Sequence, residues 1–201
     1  LAHLHFLNNY ERFRPIIDLN DILLVGEEET YRFIDEMFAS LAKSFSARRV
    51  NIGMDEAYLL GDGKYFYKNG KRDRIDVLTE HLKRVAEIAA KYGFSCEMWS
   101  DVFFNALTKG RVYDESAVVP ERIKELVPDG VKLVYWEYFV AEKAQCEKMI
   151  DLHRKITPEV KYAGTFFRWQ GFAPCNVFTQ KVMKRSLEAC ADKGVKDVFF
   201  A

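Results

Sequence analysis

The chain lacks most of the features that would assign it at a glance. No apolar run approaches the roughly 20 residues of a membrane-spanning helix, so no membrane role is expected. Its four cysteines, Cys96, Cys146, Cys175 and Cys190, form no C-x-x-C pair, which argues against a zinc knuckle or a dithiol redox centre. No G-x-G-x-x-G follows an apolar run, and Gly61-Asp62-Gly63-Lys64 lacks the spacing of a phosphate loop. Charge of one sign is not in excess either, with 30 acidic residues against 30 basic ones. The densest basic stretch, Lys68-Asn69-Gly70-Lys71-Arg72, reads as a solvated loop, so no nucleic-acid partner is expected. The N-terminus has no basic segment leading into an apolar one, hence no visible signal peptide. Together with the scattered cysteines this favours the cytoplasm over secretion. The chain also begins without Met, which leaves room for an upstream segment.

What is present is enough for one domain with a substantial core: 201 residues, 49% of them hydrophobic. Periodicity predicts helices over 28–46, 75–92, 141–156 and 177–193, and a short one near 120–127. The clearest is 75–92, where Ile75, Leu78, Leu82, Val85, Ile88 and Ala89 share one face and charges occupy the other. Gly93 and Gly194 follow two of the helices at the position that ends them. Between helices lie short apolar runs at 50–53, 94–99, 131–136, 160–165 and 198–201. Strand–helix alternation of this kind predicts a parallel sheet covered by helices.

The segments after the strands, 54–73, 99–119, 136–140 and 166–176, read as loops rich in aromatic and charged residues, whereas the turns before the strands are short and plain. A (β/α)8 TIM barrel carries its function on the loops after its strands, so this asymmetry favours a barrel over an open sheet. Five strands are visible, with a possible sixth ending near residues 1–4. A whole barrel takes about 250 residues. The expectation is a partial α/β barrel, from the end of strand three through strand eight, with residues 1–201 forming part of a single catalytic domain.

The strand ends carry chemistry. After 50–53 come adjacent carboxylates, Asp55 and Glu56. The next strand ends in Trp99 with Asp101 close behind, and the one after in Trp136, Glu137 and Tyr138. Arg168 and Trp169 follow the strand at 160–165. An Asp-Glu pair alone is most often a solvated turn, and one tryptophan is most often packing. All three tryptophans at strand ends beside carboxylates point instead to a sugar: indole faces stack on pyranose C–H groups, and carboxylates accept from hydroxyls. A carboxylic acid there can protonate a glycosidic oxygen.

These residues resemble those of glycoside hydrolase family 20, the β-N-acetylhexosaminidases. Val-Asn-Ile-Gly-Met-Asp-Glu-Ala at 50–57 is similar to the family's H-x-G-G-D-E segment, with Asn51 in place of the His and Met54 in place of the second Gly. Gly61-Asp62-Gly63-Lys64-Tyr65, Met-Trp-Ser-Asp-Val-Phe-Phe, Tyr-Trp-Glu-Tyr and Gly-Phe-Ala-Pro-Cys-Asn resemble segments of a small bacterial exo-acting branch, in the same order. The family's strand-one arginine has no counterpart, and the Trp usual after strand eight would lie beyond Ala201.

The resemblance implies a retaining, substrate-assisted mechanism, an exception to the two-carboxylate rule. Glu56 would be the general acid and then base. Asp55 would orient the substrate's 2-acetamido group as its oxygen attacks the anomeric carbon to give an oxazolinium. Tyr138, in preference to Tyr135, would hold the acetamido oxygen. Trp99, Trp136 and Trp169 would wall the pocket, Asp101 would bind a hydroxyl, and His3 could line it. The partner would be a glycan or glycoside ending in β-linked GlcNAc or GalNAc, with no cofactor and no metal.

Three alternatives stand beside this. Glu56 and Glu137 could act as acid/base and nucleophile of an ordinary retaining glycosidase, since the strand at 160–165 leads into Phe166-Phe167 with no acid. Asp55, Glu56, Asp101 and Glu137 could hold a metal. The chain could also bind carbohydrate without turning it over. His81 and His153 read as surface residues of polar helix faces.

Overall fold

In a computed structural model, which describes residues 2–140, 142–166, 173 and 175–200, strands and helices alternate as the periodicity predicts. The order is β1 (Ile17–Leu19), β2 (Ile22–Leu23), α1 (Glu28–Ser44), β3 (Arg49–Asn51), α2 (Lys64–Asn69), α3 (Arg74–Lys91), β4 (Ser95–Trp99), α4 (Asp101–Leu107), α5 (Arg122–Leu126), β5 (Lys132–Trp136), α6 (Lys143–Arg154), β6 (Val160–Gly164), α7 (Asn176–Asp192) and β7 (Asp197–Phe200). The chain divides into two compact units, Leu1–Met98 with Glu125–Val131, and Trp99–Lys124 with Lys132–Ala201. Among the described residues no helix is long and apolar enough to cross a membrane.

In the first unit, β3 and β4 pair in parallel, Arg49 opposite Ser95 and Asn51 opposite Glu97. Helix α3 starts where Asp73 accepts from the Ile75 and Asp76 amides at 2.9 and 3.4 Å, satisfying donors that an uncapped helix leaves open. It ends at Gly93, whose φ of 76° suits glycine. Its stripe of Ile75, Leu78, Leu82, Val85 and Ala89 is buried. Helix α1 packs on α3, and charge ties the pair along one edge. Arg84 reaches both oxygens of Glu28, at 2.9 and 3.1 Å, with its guanidinium 3.6 Å from the Tyr31 ring centre. Lys91 and Tyr92 both bond Asp35.

The region before α1 differs from expectation. Residues 2–4 form no strand; the 3-10 turns His5–Asn9 and Glu11–Ile16 lead into the antiparallel pair β1–β2. Asp18 on β1 accepts from the Tyr65 amide at 2.7 Å and starts α2. That approach is possible only because residue 63 is glycine: a Cβ there would lie 2.6 Å from the Asp18 carbonyl oxygen.

In the second unit, β5, β6 and β7 pair in parallel, Leu133 with Val160 and Tyr162 with Val198. β6 is central and buried along its whole length, as a strand covered on both faces must be. Helices α6 and α7 pack together, pinned at their ends by the Lys193–Asp151 ion pair at 2.5 Å and by Lys143–Asp192.

Two histidines correct the sequence reading. His81 and His153 are buried, not on the surface. His81 meets the Tyr31 hydroxyl at 3.3 Å. His153 lies 2.7 Å from Ser100 Oγ through Nε2 and 2.6 Å from the Met149 carbonyl through Nδ1. Burial lowers their imidazole pKa values, to about 3 and about 4. The segments 54–73 and 99–119 likewise hold helices α2 and α4 where the sequence suggests only loops.

Candidate active site

The acidic pair sits in the first unit, in the turn that leaves β3. Asn51 closes that turn by accepting from the Gly53 amide at 2.8 Å. Met54 and Ala57 are buried on either side of the pair. Anchoring both flanks turns Asp55 and Glu56 outward, with side chains 28% and 50% exposed. The backbone is held in an unusual conformation: φ is 73° at Gly53, 74° at Met54 and 53° at Glu56. A non-glycine residue in this region costs on the order of 1 kcal/mol or more, and such strain clusters at working sites.

His3 joins the pair. Its Nε2 lies 3.2 Å from Asp55 Oδ2 and 3.4 Å from Glu56 Oε2. Its backbone amide donates to Asp21 Oδ2 at 2.8 Å, and the same oxygen lies 3.2 Å from His5 Nε2. His3 too has a positive φ, 60°. Of the six non-glycine residues in this backbone region among those described, His3, Met54 and Glu56 therefore make up half, all at one place. A nearby cavity of about 210 Å³, lined by Phe33, Ile34, Met37, Val50 and Met54 among others, includes neither carboxylate. It is apolar and unsuited to a sugar.

The aromatic residues sit in the second unit. Trp99 closes β4, its ring centre 6.0 Å from that of Phe199. Asp101 opens α4 fully buried, and its Oδ1 accepts from Trp136 Nε1 at 3.2 Å. Trp136, at the end of β5, stacks on Tyr138 with ring centres 5.2 Å apart and planes at 29°, and meets Tyr113 edge-on at 5.4 Å. Tyr135 points the other way, fully buried against Tyr113, His153 and Tyr162. Ser100 bonds the Tyr113 hydroxyl at 3.0 Å and His153 at 2.7 Å. Trp169 and Arg168 lie outside the described residues.

Glu137 is the residue whose part changes most. It is buried, and its Oε1 accepts from the amides of Phe139 and Val140 at 2.7 and 2.9 Å. Burial raises its pKa, against the pull of those amides. A nucleophilic carboxylate needs the opposite, a free oxygen and an easily held charge. Among the described residues no group of three His, Cys, Asp or Glu side chains is arranged to hold a metal ion.

The fold is thus a parallel α/β arrangement with an outward-facing acidic turn after one strand and indole platforms after two others. No family model matches the chain, and no curated protein does. Solved structures do, β-N-acetylhexosaminidases among them. The family 20 enzyme of Streptomyces coelicolor A3(2) matches at 20% identity and TM-score 0.43, over 71% of this chain and 22% of that one. The β-N-acetylhexosaminidase of Bacteroides fragilis matches at 14% and 0.46, over 72% and 26%. The family 20 exo-β-N-acetylglucosaminidase of Vibrio harveyi, in complex with N-acetylglucosamine, matches at 13% and 0.45, over 73% and 19%. The chain spans about a fifth to a quarter of the length of these structures.

Proposed function

We propose that the chain is part of the catalytic (β/α)8 barrel of a retaining exo-β-N-acetylhexosaminidase of glycoside hydrolase family 20, from the end of strand three through strand eight. It would remove terminal β-linked GlcNAc or GalNAc. The observation that carries this reading is the acidic turn: two adjacent carboxylates turned outward on a strained backbone, with an imidazole within 3.4 Å of both. The ordered motifs add the identity of the sugar.

In the mechanism, Glu56 protonates the departing glycosidic oxygen. The substrate's acetamido oxygen attacks the anomeric carbon, and Asp55 holds the acetamido N–H and balances the charge that develops. Glu56, now a carboxylate, takes a proton from the water that opens the oxazolinium. The resemblance would assign Tyr138 to the acetamido oxygen and Trp99, Trp136 and Trp169 to the walls around the sugar, while His3, within 3.4 Å of both carboxylates, would steady them. Asp101 is fully buried with its Oδ1 accepting from the Trp136 indole, so in place of the hydroxyl contact expected of it, it would act on the sugar by orienting that ring. The rival use of Glu137 as nucleophile is disfavoured because its carboxylate is buried on its own backbone.

GlcNAc-thiazoline, a stable cyclic analogue of the oxazolinium, tests the mechanism. It should inhibit the intact protein competitively and bind about 100-fold or more tighter than GlcNAc, as transition-state and intermediate analogues do. Absence of inhibition would remove substrate assistance.

A further inference from the structure

Glu137 is held at three points. Its amide donates to the Ala163 carbonyl at 3.1 Å, extending the β5–β6 ladder past the end of the strand. Its carbonyl accepts from the Tyr162 hydroxyl at 3.0 Å. Its carboxylate takes the amides two and three residues on. A side-chain oxygen that accepts from i+2 and i+3 amides closes a compact turn, as aspartate, asparagine and serine do elsewhere. The residue enclosed by that turn is Tyr138, whose ring lies over Trp136. A surface glutamate would leave this turn to solvent; here the carboxyl is buried where burial opposes its charge, so its place in the turn has a cost that the amides offset.

We propose that Glu137 is the positioning residue for Tyr138: its carboxylate folds residues 137–140 so that the phenol is presented at the sugar platform beside Trp136. The proposal rests on the reading above for what Tyr138 touches, namely the acetamido oxygen. It reassigns the one carboxylate that an ordinary retaining glycosidase would use as nucleophile. It also explains why a long acidic side chain follows the strand-end tryptophan without facing the sugar.

The test combines a substrate-free readout with kinetics on the intact protein. The stacked Trp136–Tyr138 pair contributes to the near-ultraviolet circular dichroism. E137A should lose the same contribution that Y138L loses, and E137Q, whose amide oxygen can still accept both backbone N–H groups, should restore it. On an aryl N-acetyl-β-glucosaminide, E137A should lower kcat/KM about 10- to 100-fold, the scale of a misplaced catalytic contact, mainly through kcat. E137A combined with Y138F should be no worse than Y138F alone, and E137Q should recover to within about threefold of wild type.

If E137A does not fold, E137M, which fills the same space without an acceptor for the two amides, takes its place with the same expectations. Additive losses in the double variant, or an unchanged dichroism signal in E137A, overturn the proposal. So does rescue of E137A by azide with formation of a glycosyl azide, which marks a nucleophile. Loss of the dichroism signal together with equal turnover of glycosides lacking the acetamido group would keep the positioning role and reject the proposed function.

Discussion

Acid should cost this protein stability through His153. Its ring is buried among Phe104, Tyr135 and Tyr113, with ring centres 4.5, 4.8 and 5.7 Å away. The Met149 carbonyl fixes the proton on Nδ1, so Nε2 accepts from the Ser100 hydroxyl. Burial lowers the imidazole pKa from 6.5 to about 4, against a smaller opposite pull from the Met149 carbonyl. The folded value lies below the unfolded one. Above pH 6.5 both states are neutral and the group contributes nothing. Between pH 6.5 and about 4 only the unfolded chain takes up the proton, and stability falls by about 1.4 kcal/mol per pH unit. Below about pH 4 the slope ends. By pH 4.5 the loss amounts to about 2–3 kcal/mol, against a total of about 5–15 kcal/mol for a typical domain. Urea melts at pH 7 and 4.5 on wild type and His153→Gln provide the assay. Glutamine keeps an acceptor for Ser100 but does not titrate. Carboxylates and His81 respond alike in both proteins and cancel in the difference. Wild type should lose about 2–3 kcal/mol more than the variant over this range; equal losses would refute a neutral buried His153.

Gly63→Ala should destabilise the first unit by about 2 kcal/mol or more in a urea melt, because its Cβ would lie 2.6 Å from a backbone oxygen that cannot yield. Trp136→Phe should cost about 1–3 kcal/mol of stability by taking the indole donor from buried Asp101, with weaker binding of GlcNAc by calorimetry. Glu56→Gln should lower kcat for an unactivated N-acetylglucosaminide by about 100- to 10,000-fold and far less for a dinitrophenyl glycoside, whose leaving group needs no proton. Asp55→Asn should lower kcat for both, since in the proposed mechanism Asp55 acts on the acetamido group and not on the leaving group.

The regular frame was legible because periodicity is a direct imprint of burial. The stripe of α3 and the apolar runs of β4, β5 and β6 lie where the pattern put them, within one or two residues. Helix α4 was not, because Val102, Phe103 and Phe104 are all buried and leave no polar face to set a period. Helix α2 is a single exposed-to-buried stretch of six residues, started by Asp18 from far away in the sequence. The histidines could have been found. Cys146, Met149, Ile150 and His153 follow the i, i+3, i+4, i+7 spacing of a buried stripe, as do Leu78, His81, Leu82 and Val85. Neighbouring charges, Arg154 and Lys155 in one case and Glu80 and Lys83 in the other, masked that signal. At the candidate site, Asp55, Glu56 and the strand-end tryptophans were visible as residue types at strand ends. The turn Glu137 makes was not, since hydrogen bonds to its own following amides leave no mark in composition or spacing.

If the substrate supplies the nucleophile, its 2-acetamido group is indispensable to turnover. Turnover by the intact protein of two aryl β-glycosides, identical except for an acetamido or a hydroxyl group at C2, tests it most directly. The acetamido substrate should be hydrolysed with retained configuration, and its 2-hydroxy partner should show no measurable turnover. Comparable rates on the two would contradict it.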